Sequence, residues 1–157
     1  MSGLIPEKEV NVMGSEPILY HDDVEVGMEI PALQKKPTSL QLFRYSAVTW
    51  NAHRIHYEKD YALFEGHPDI LVQAHLHGSF LIQMVLDWIG PAGRLKKVSW
   101  SNRNRAVPGD TLTCKGKVIN KFEENGEALI ECEIAEENQR GEVCAPGKAI
   151  IALPRRG

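Results

Sequence analysis

Cysteine is scarce in this sequence, and the cysteines present are not placed for a disulfide framework or a zinc site. Cys114, Cys132 and Cys144 are odd in number, lie far apart and form no C-x-x-C pair. No apolar run approaches the roughly 18 residues that a membrane-spanning helix needs, and the opening MSGLIPEKEV lacks the basic start and apolar core of a secretion signal. We therefore expect reduced cysteines in a soluble, cytoplasmic protein with no membrane partner.

Positive charge is also in short supply. The chain has 18 Lys and Arg residues against 21 Asp and Glu residues, for a net charge of -3, and the basic residues are dispersed. Because binding to a phosphate backbone requires a basic surplus, we expect no nucleic-acid partner. The length of 157 residues suits one domain. The first residues carry Gly, Pro, Ser and Glu without periodicity, so we predict an N-terminal arm over residues 1–21 and a single domain over residues 22–157.

A helix predicted over residues 77–89 is apolar around most of its circumference. Surface helices show only one apolar stripe, so this helix must be enclosed by other structure. Gly90 followed by Pro91 ends it. The polar stripe is narrow and consists of Ser79, Gln83 and Asp87. The apolar positions are Phe80, Leu81, Ile82, Met84, Val85, Leu86, Trp88 and Ile89.

After this helix the apolar pattern changes its period from 3.6 to 2, which is typical of strands. The four candidate strands are RLKKVSWSNRNRAV, DTLTCKGKVINKF, EALIECEIAEEN and EVCAPGKAIIALP. The glutamates between residues 123 and 142 are interpreted as the solvated face of this sheet. Near the start, VEVGMEIPALQKKPT predicts a strand interrupted at Pro31, and Thr38 with Gln41 forms a capping box that starts a short helix. We predict an α+β fold, with one curved antiparallel sheet wrapped around the central helix.

Three ordered motifs resemble the MaoC-like hydratases and dehydratases, a branch of the hotdog fold. They are NAHRIHYEKDYA at residues 51–62, AHLHGSF at residues 74–80 and VPGDTL at residues 107–112. The run RYSAVTWNAHRIHY is most similar to the subgroup of hydroxyacyl-thioester dehydratase type 2 and the mesaconyl-CoA (methylfumaryl-CoA) hydratases. The resemblance implies a hotdog fold, reversible addition of water to a 2-enoyl-CoA thioester, and a homodimer. Coenzyme A would be part of the substrate, and we expect no separate cofactor.

In the wider family an aspartate five residues ahead of a histidine forms the catalytic pair. His56 takes the histidine position here, but Asn51 stands at the aspartate position, which is a departure from the pattern. Gly78 matches the glycine whose backbone N–H serves as an oxyanion donor. The resemblance therefore implies a catalytic set of His56, Asn51 and Gly78.

The residue types fit this chemistry. Hydration of a conjugated thioester needs a base for water, an acid for Cα and donors for the charge on the thioester oxygen. His56 can serve as base and acid in turn, and Gly78 is placed by the sequence at the opening of the central helix, where unpaired N–H groups favour negative charge. Asn51 cannot take a proton, but its carbonyl oxygen can accept a hydrogen bond from the attacking water.

Each of these histidines has a structural alternative. His56 can be a loop imidazole bonded to backbone, and His53 can orient the loop. His75 and His77 flank the helix start and can cap it or line a pocket. We predict substrate contacts for His53, His75 and His77. The same histidines offer an H-x-x-H and an H-x-H spacing, but without the H-E-x-x-H pattern or a cysteine pair we expect no metal site.

Two alternative functions remain open on the same fold. A non-catalytic acyl-thioester-binding or partner subunit is one, because Asn51 can mark a disabled site. A hotdog thioesterase is the other, although the only carboxylate on the central helix is Asp87, far from its start. Function depends on the site and not on the fold alone.

Overall fold

In the computed structural model, which describes residues 17–157, a five-stranded antiparallel sheet packs against one long helix. The sheet order is β1-β3-β4-β5-β2. The strands are β1 (Glu29–Lys35), β2 (Arg94–Trp100), β3 (Leu112–Glu124), β4 (Glu127–Glu137) and β5 (Val143–Ala152). The helices are α1 (Ser39–Thr49), α2 (Lys59–Phe64) and α3 (Ala74–Ile89), with short 3-10 turns at His21–Asp23 and Arg54–His56. The predicted α+β class is confirmed.

Helix α3 is enclosed as predicted, because its apolar side lies against the sheet. Phe80 is 4% exposed and Met84 is 1% exposed. The opposite side reaches solvent along the predicted polar stripe of Ser79, Gln83 and Asp87. Leu86, which was predicted among the apolar positions, is 46% exposed beside this stripe. Burial of this many large side chains, each worth about 1.5–3 kcal/mol, fixes the helix against the sheet.

The start of α3 differs from the prediction. The helix begins at Ala74, three residues before the predicted start at residue 77, and it ends at Ile89 as predicted. Gln73 is the N-cap residue but makes no side-chain cap bond. Its side-chain amide instead points into the core and donates to the carbonyl of Leu42 at 2.7 Å. The usual sequence signals of a helix N-terminus are therefore missing here.

Two strand predictions also need correction. The strand predicted over residues 94–107 ends at Trp100. Beyond it, the N–H groups of Ser101 and Arg103 still donate to backbone carbonyls of β5. Strand β1 is not interrupted at Pro31 but crosses it, with a bulge between Ile30 and Leu33. Proline cannot donate to a ladder, and an edge strand with a bulge accommodates it.

Helix α1 begins as the capping box predicted, with the Thr38 hydroxyl accepting from the Gln41 N–H at 3.2 Å. It ends at Thr49, and the C-cap residue Trp50, whose φ of 56° lies in the left-handed region, turns the chain into the histidine loop. Of the predicted arm over residues 1–21, residues 1–16 lie outside the described residues. Its last residue, His21, donates its N–H to the carbonyl of Pro154 at 2.8 Å. The boundary at residue 22 stays a prediction.

No helix within residues 17–157 is both long enough and apolar enough to cross a bilayer.

Candidate active site

The loop after α1 is shaped by its own polar side chains. The Asn51 carbonyl oxygen accepts the His53 N–H at 3.2 Å, and His53 Nδ1 accepts the Ile55 N–H at 3.4 Å. The Tyr57 hydroxyl closes the loop by donating to the carbonyl of Ala52 at 2.8 Å. Asn51 therefore has a structural task in the loop, and its role in holding water stays a prediction. Its carbonyl oxygen keeps a second lone pair that can accept from water.

His56 is held in one orientation and one tautomer. Its Nδ1 lies 2.8 Å from the carbonyl oxygen of Leu71. A carbonyl oxygen only accepts, so Nδ1 carries the proton and Nε2 presents a lone pair. The side chain is buried, with 8% of the residue exposed. Burial is the main cause that lowers the pKa of His56 below its ordinary value, with a smaller contribution from His53, while the bond to Leu71 opposes the shift. The ring is therefore a neutral base at neutral pH.

The residue that anchors His56 leads directly into α3. Leu71 donates its N–H to the carbonyl of Ile55 at 2.9 Å. Both the N–H and the carbonyl of Leu71 are therefore hydrogen-bonded to the histidine turn. Val72 is fastened in turn to the carbonyl of Ala106 at 2.9 Å. The His56 ring and the start of α3 are thus parts of one rigid unit.

Gly78 does not open the central helix, contrary to the prediction. It lies in the second turn of α3, where a Cβ atom would come within 2.6 Å of three atoms of the Trp100 indole. The Trp100 Nε1–H donates to the carbonyl of Ala74 at 3.1 Å. Close packing therefore explains the glycine, and its role as oxyanion donor stays a prediction.

The backbone N–H groups at the start of α3 are only partly satisfied. Leu76 and His77 both donate to the carbonyl of Gln73, at 2.9 and 3.2 Å. The earlier N–H groups of a helix have no intrahelical acceptor, and those of Ala74 and His75 find no other acceptor among residues 17–157. They form the positive end of the α3 dipole.

Asn51 lines two small pockets, and one of them adjoins the start of α3. This pocket has a volume of about 330 Å³ and is lined by Tyr45, Thr49, Asn51 and His75. The second pocket, of about 180 Å³, is mostly apolar and includes Phe43 and Asn51 but no residue of α3. The structure therefore brings Asn51 and His75 together. The His75 ring also packs edge to face against the Trp100 ring on β2, with the ring centroids 6.1 Å apart.

The other predicted contact residues fall in two different places. His53 lies on the exposed side of the loop with its ring centroid 6.0 Å from that of His56. His77 is in the core, where its Nδ1 is hydrogen-bonded to a carboxylate oxygen of Glu136 on β4. Substrate contacts by these residues and by His75 stay predictions. Within the described part of the chain, no three His, Cys, Asp or Glu side chains gather as metal ligands would.

The buried carboxylate of Glu136 was missed at the sequence level. It was included in the solvated face of the sheet, whereas the structure gives it 0% exposure. The strand pattern contains the missing signal. Glu136 has the same parity as Ile130, Cys132 and Ile134, which all point inward from β4.

The sheet wrapped around α3 and the buried histidine beside the helix start define a hotdog protein of the hydratase and dehydratase type. The sequence model of hydroxyacyl-thioester dehydratase type 2 matches residues 24–130, more than half of the chain. The chain belongs to this family, as its motifs predicted.

Named relatives agree with this assignment. Mesaconyl-C(4)-CoA hydratase of Chloroflexus aurantiacus is 45% identical over 49 residues, which are 31% of this chain and 18% of that protein. The mitochondrial hydroxyacyl-thioester dehydratase type 2 of Saccharomyces cerevisiae is 30% identical over 79 residues, 48% of this chain and 27% of that protein. The chain thus matches about a fifth to a quarter of the length of these relatives.

Among solved structures, the R-hydratase PhaJ1 from Pseudomonas aeruginosa has the same fold. The TM-score is 0.78 at 19% identity, with 87% of this chain and 86% of that chain covered. The predicted hotdog fold is therefore confirmed.

Proposed function

We propose that this protein catalyses the reversible hydration of a 2-enoyl-CoA thioester, with His56 as the acid–base group. The observation that carries this proposal is the His56 ring, whose Nδ1–H is fixed on the Leu71 carbonyl so that Nε2 is left as the free base. Membership of a dehydratase family supports the reaction class. We also propose that the working form is a homodimer, which light scattering can measure, and that coenzyme A enters only as part of the substrate.

The proposed reaction uses one base in two steps. His56 Nε2 removes a proton from water, the oxygen forms a bond to Cβ, and the π electrons of the double bond move to the thioester oxygen. His56 then returns the proton to Cα, and dehydration follows the same path in reverse. The proposal keeps Gly78 as an oxyanion donor and adds the free N–H groups of Ala74 and His75, which point out of the positive end of α3.

Acyl-thioester binding without turnover is the second candidate function. It is favoured by Asn51, which has no charge and whose carbonyl oxygen is already engaged by the His53 N–H. A thioesterase receives less support, because Asp87 lies exposed in the last turns of α3, far from the histidine loop.

A panel of enoyl- and 3-hydroxyacyl-CoA thioesters, followed by the absorbance of the conjugated thioester, tests the proposal. We expect hydration of at least one member. Asn51→Ala should lower kcat more than it raises KM, because water is positioned less well. Asn51→Asp should keep part of the activity. If the wild type hydrates nothing and Asn51→Asp gains activity, the binding function is correct.

The pH dependence of hydration follows from the burial of His56. Burial disfavours the imidazolium, so the pKa of His56 lies below its ordinary value of 6.5 and the neutral base persists to lower pH. We expect the acid limb of kcat/KM against pH to have its midpoint below 6.5. A midpoint at or above this value would mean that another group controls the rate.

A further inference from the structure

Gln73 is a buried polar side chain that the proposed mechanism does not use. It directly precedes α3 and is 0% exposed. Its Nε2 donates to the Leu42 carbonyl at 2.7 Å and to the Ser46 hydroxyl at 2.9 Å, and both acceptors belong to α1. Because a carbonyl oxygen only accepts, the amide nitrogen must face α1. The amide oxygen Oε1 is buried and has no hydrogen-bond partner among residues 17–157.

Stability alone does not explain a glutamine at this position. A buried acceptor without a partner costs free energy, and an apolar side chain of the same size would leave no such atom. The two acceptors on α1 also have alternatives. The Leu42 carbonyl lies inside a helix that supplies its own donors, and a helical serine hydroxyl can bond back to its own helix. What the two hydrogen bonds add is a link between the start of α3 and α1.

Ser46 is also the residue from which the histidine loop departs. Its carbonyl oxygen accepts the N–H of the C-cap residue Trp50, and it accepts the N–H of Asn51 at 3.0 Å. Ser46 and Asn51 both line the mostly apolar pocket of about 180 Å³. The Asn51 backbone is thus bonded to Ser46, and the Ser46 hydroxyl is held by Gln73.

His56 is held by the same short segment before α3. Its Nδ1 lies 2.8 Å from the Leu71 carbonyl, two residues ahead of Gln73. Residues 71–73 therefore hold both side chains of the proposed reaction, His56 directly and Asn51 through one intermediate residue. The placement of Asn51 relative to His56 depends on the hydrogen bonds at the two ends of this segment.

We propose that Gln73 is a positioning residue of the hydration reaction, which fixes the place of Asn51 relative to His56. It acts through Ser46. In the proposed reaction His56 removes a proton from the water that Asn51 holds, so the relative placement of the two side chains decides how well this water is aligned with the base. This inference rests on the proposed hydratase function.

Gln73→Met tests the inference on the whole chain, with the most active thioester of the panel as substrate. Methionine keeps the length of the side chain but removes both donors and Oε1. We expect kcat to fall by about tenfold or more with KM nearly unchanged, because the alignment of water is lost and substrate binding is not. The midpoint of urea unfolding should change little, because removal of the unpartnered acceptor offsets the two lost hydrogen bonds. The acid limb of His56 should keep its midpoint, since the Leu71 bond is untouched.

A double-mutant cycle shows whether Gln73 acts through Asn51. In an Asn51→Ala background, Gln73→Met should lower kcat by no more than about twofold, because the group that Gln73 positions is already absent. Gln83→Met is the matched control, since it makes the same substitution at an exposed position of α3 and should leave kcat unchanged. Ser46→Ala removes only one of the two acceptors and should cause part of the loss.

Fully additive losses of kcat in the cycle would overturn the inference and leave the hydratase function standing. A folded Gln73→Met variant with wild-type kcat would do the same. A wild type inactive on the whole panel would instead refute the hydratase function, and amide NMR spectra then test the positioning of Asn51 by itself. Gln73→Met should shift the backbone amide signal of Asn51, and Gln83→Met should not. An unmoved Asn51 signal in Gln73→Met would overturn the inference whatever the activity.

Discussion

Replacing His56 with alanine is expected to lower kcat by about 10²- to 10⁴-fold, which is the usual contribution of general acid–base catalysis. The physical reason is that no other imidazole of the loop has its Nδ1–H fixed by backbone and its Nε2 free. The ring of the neighbouring His53 uses Nδ1 to accept the Ile55 N–H. Steady-state hydration kinetics at a pH above the acid limb measure the effect.

Two further variants separate the loss of the base from damage to the loop. His56→Asn keeps a donor near the position of Nδ1, so the Leu71 carbonyl stays satisfied, but it has no base. We expect it to be nearly as inactive as His56→Ala and to be more stable. His53→Ala should lower kcat less than His56→Ala. The reverse ranking would assign the acid–base role to His53, and an unchanged rate in His56→Asn would make His56 a structural residue.

The sequence predicted the fold well because the strongest signals were long and periodic. An almost wholly apolar helix followed by strands of period two leaves few architectures other than a sheet around that helix. The C-terminus of α3 was placed correctly because Gly90 and Pro91 are local signals. Its N-terminus was not placed correctly, because the Gln73 side chain donates hydrogen bonds to oxygen atoms of α1 across the core instead of capping its own helix. Such a tertiary contact leaves no local trace in the sequence.

The site was predicted less completely, for a similar reason. Asn51 and His56 were proposed as site residues because a family motif places them five residues apart. The partner of a side chain cannot be deduced in this way. His77 and Glu136 are 59 residues apart and meet only when β4 packs on α3. Gly78 was proposed from its motif, but the sequence did not indicate its packing partner Trp100 on β2. Long-range pairing is therefore what the structure adds to the sequence.

The contact between Gly78 and Trp100 leads to the second large expected effect. Gly78→Ala should destabilise the protein by about 3 kcal/mol, the upper end of the cost of overpacking a core. The added Cβ would lie within 2.6 Å of three atoms of the indole ring. The indole cannot give way easily, because its ring is rigid and its Nε1–H is bonded to the Ala74 carbonyl. Urea unfolding of the variant and the wild type measures the difference.

Gly116→Ala on β3 is the matched control for this prediction. Its Cβ would also come within 2.6 Å of a neighbour, but that neighbour is Cδ1 of Ile30, the end of a flexible side chain that can change rotamer. We expect a smaller loss of stability than for Gly78→Ala. The double variant Gly78→Ala with Trp100→Ala should be no less stable than Trp100→Ala alone, because the obstructing ring is gone. If Gly78→Ala is as stable as the wild type, the indole does not occupy this space, and the glycine must be explained by the approach of substrate to the helix.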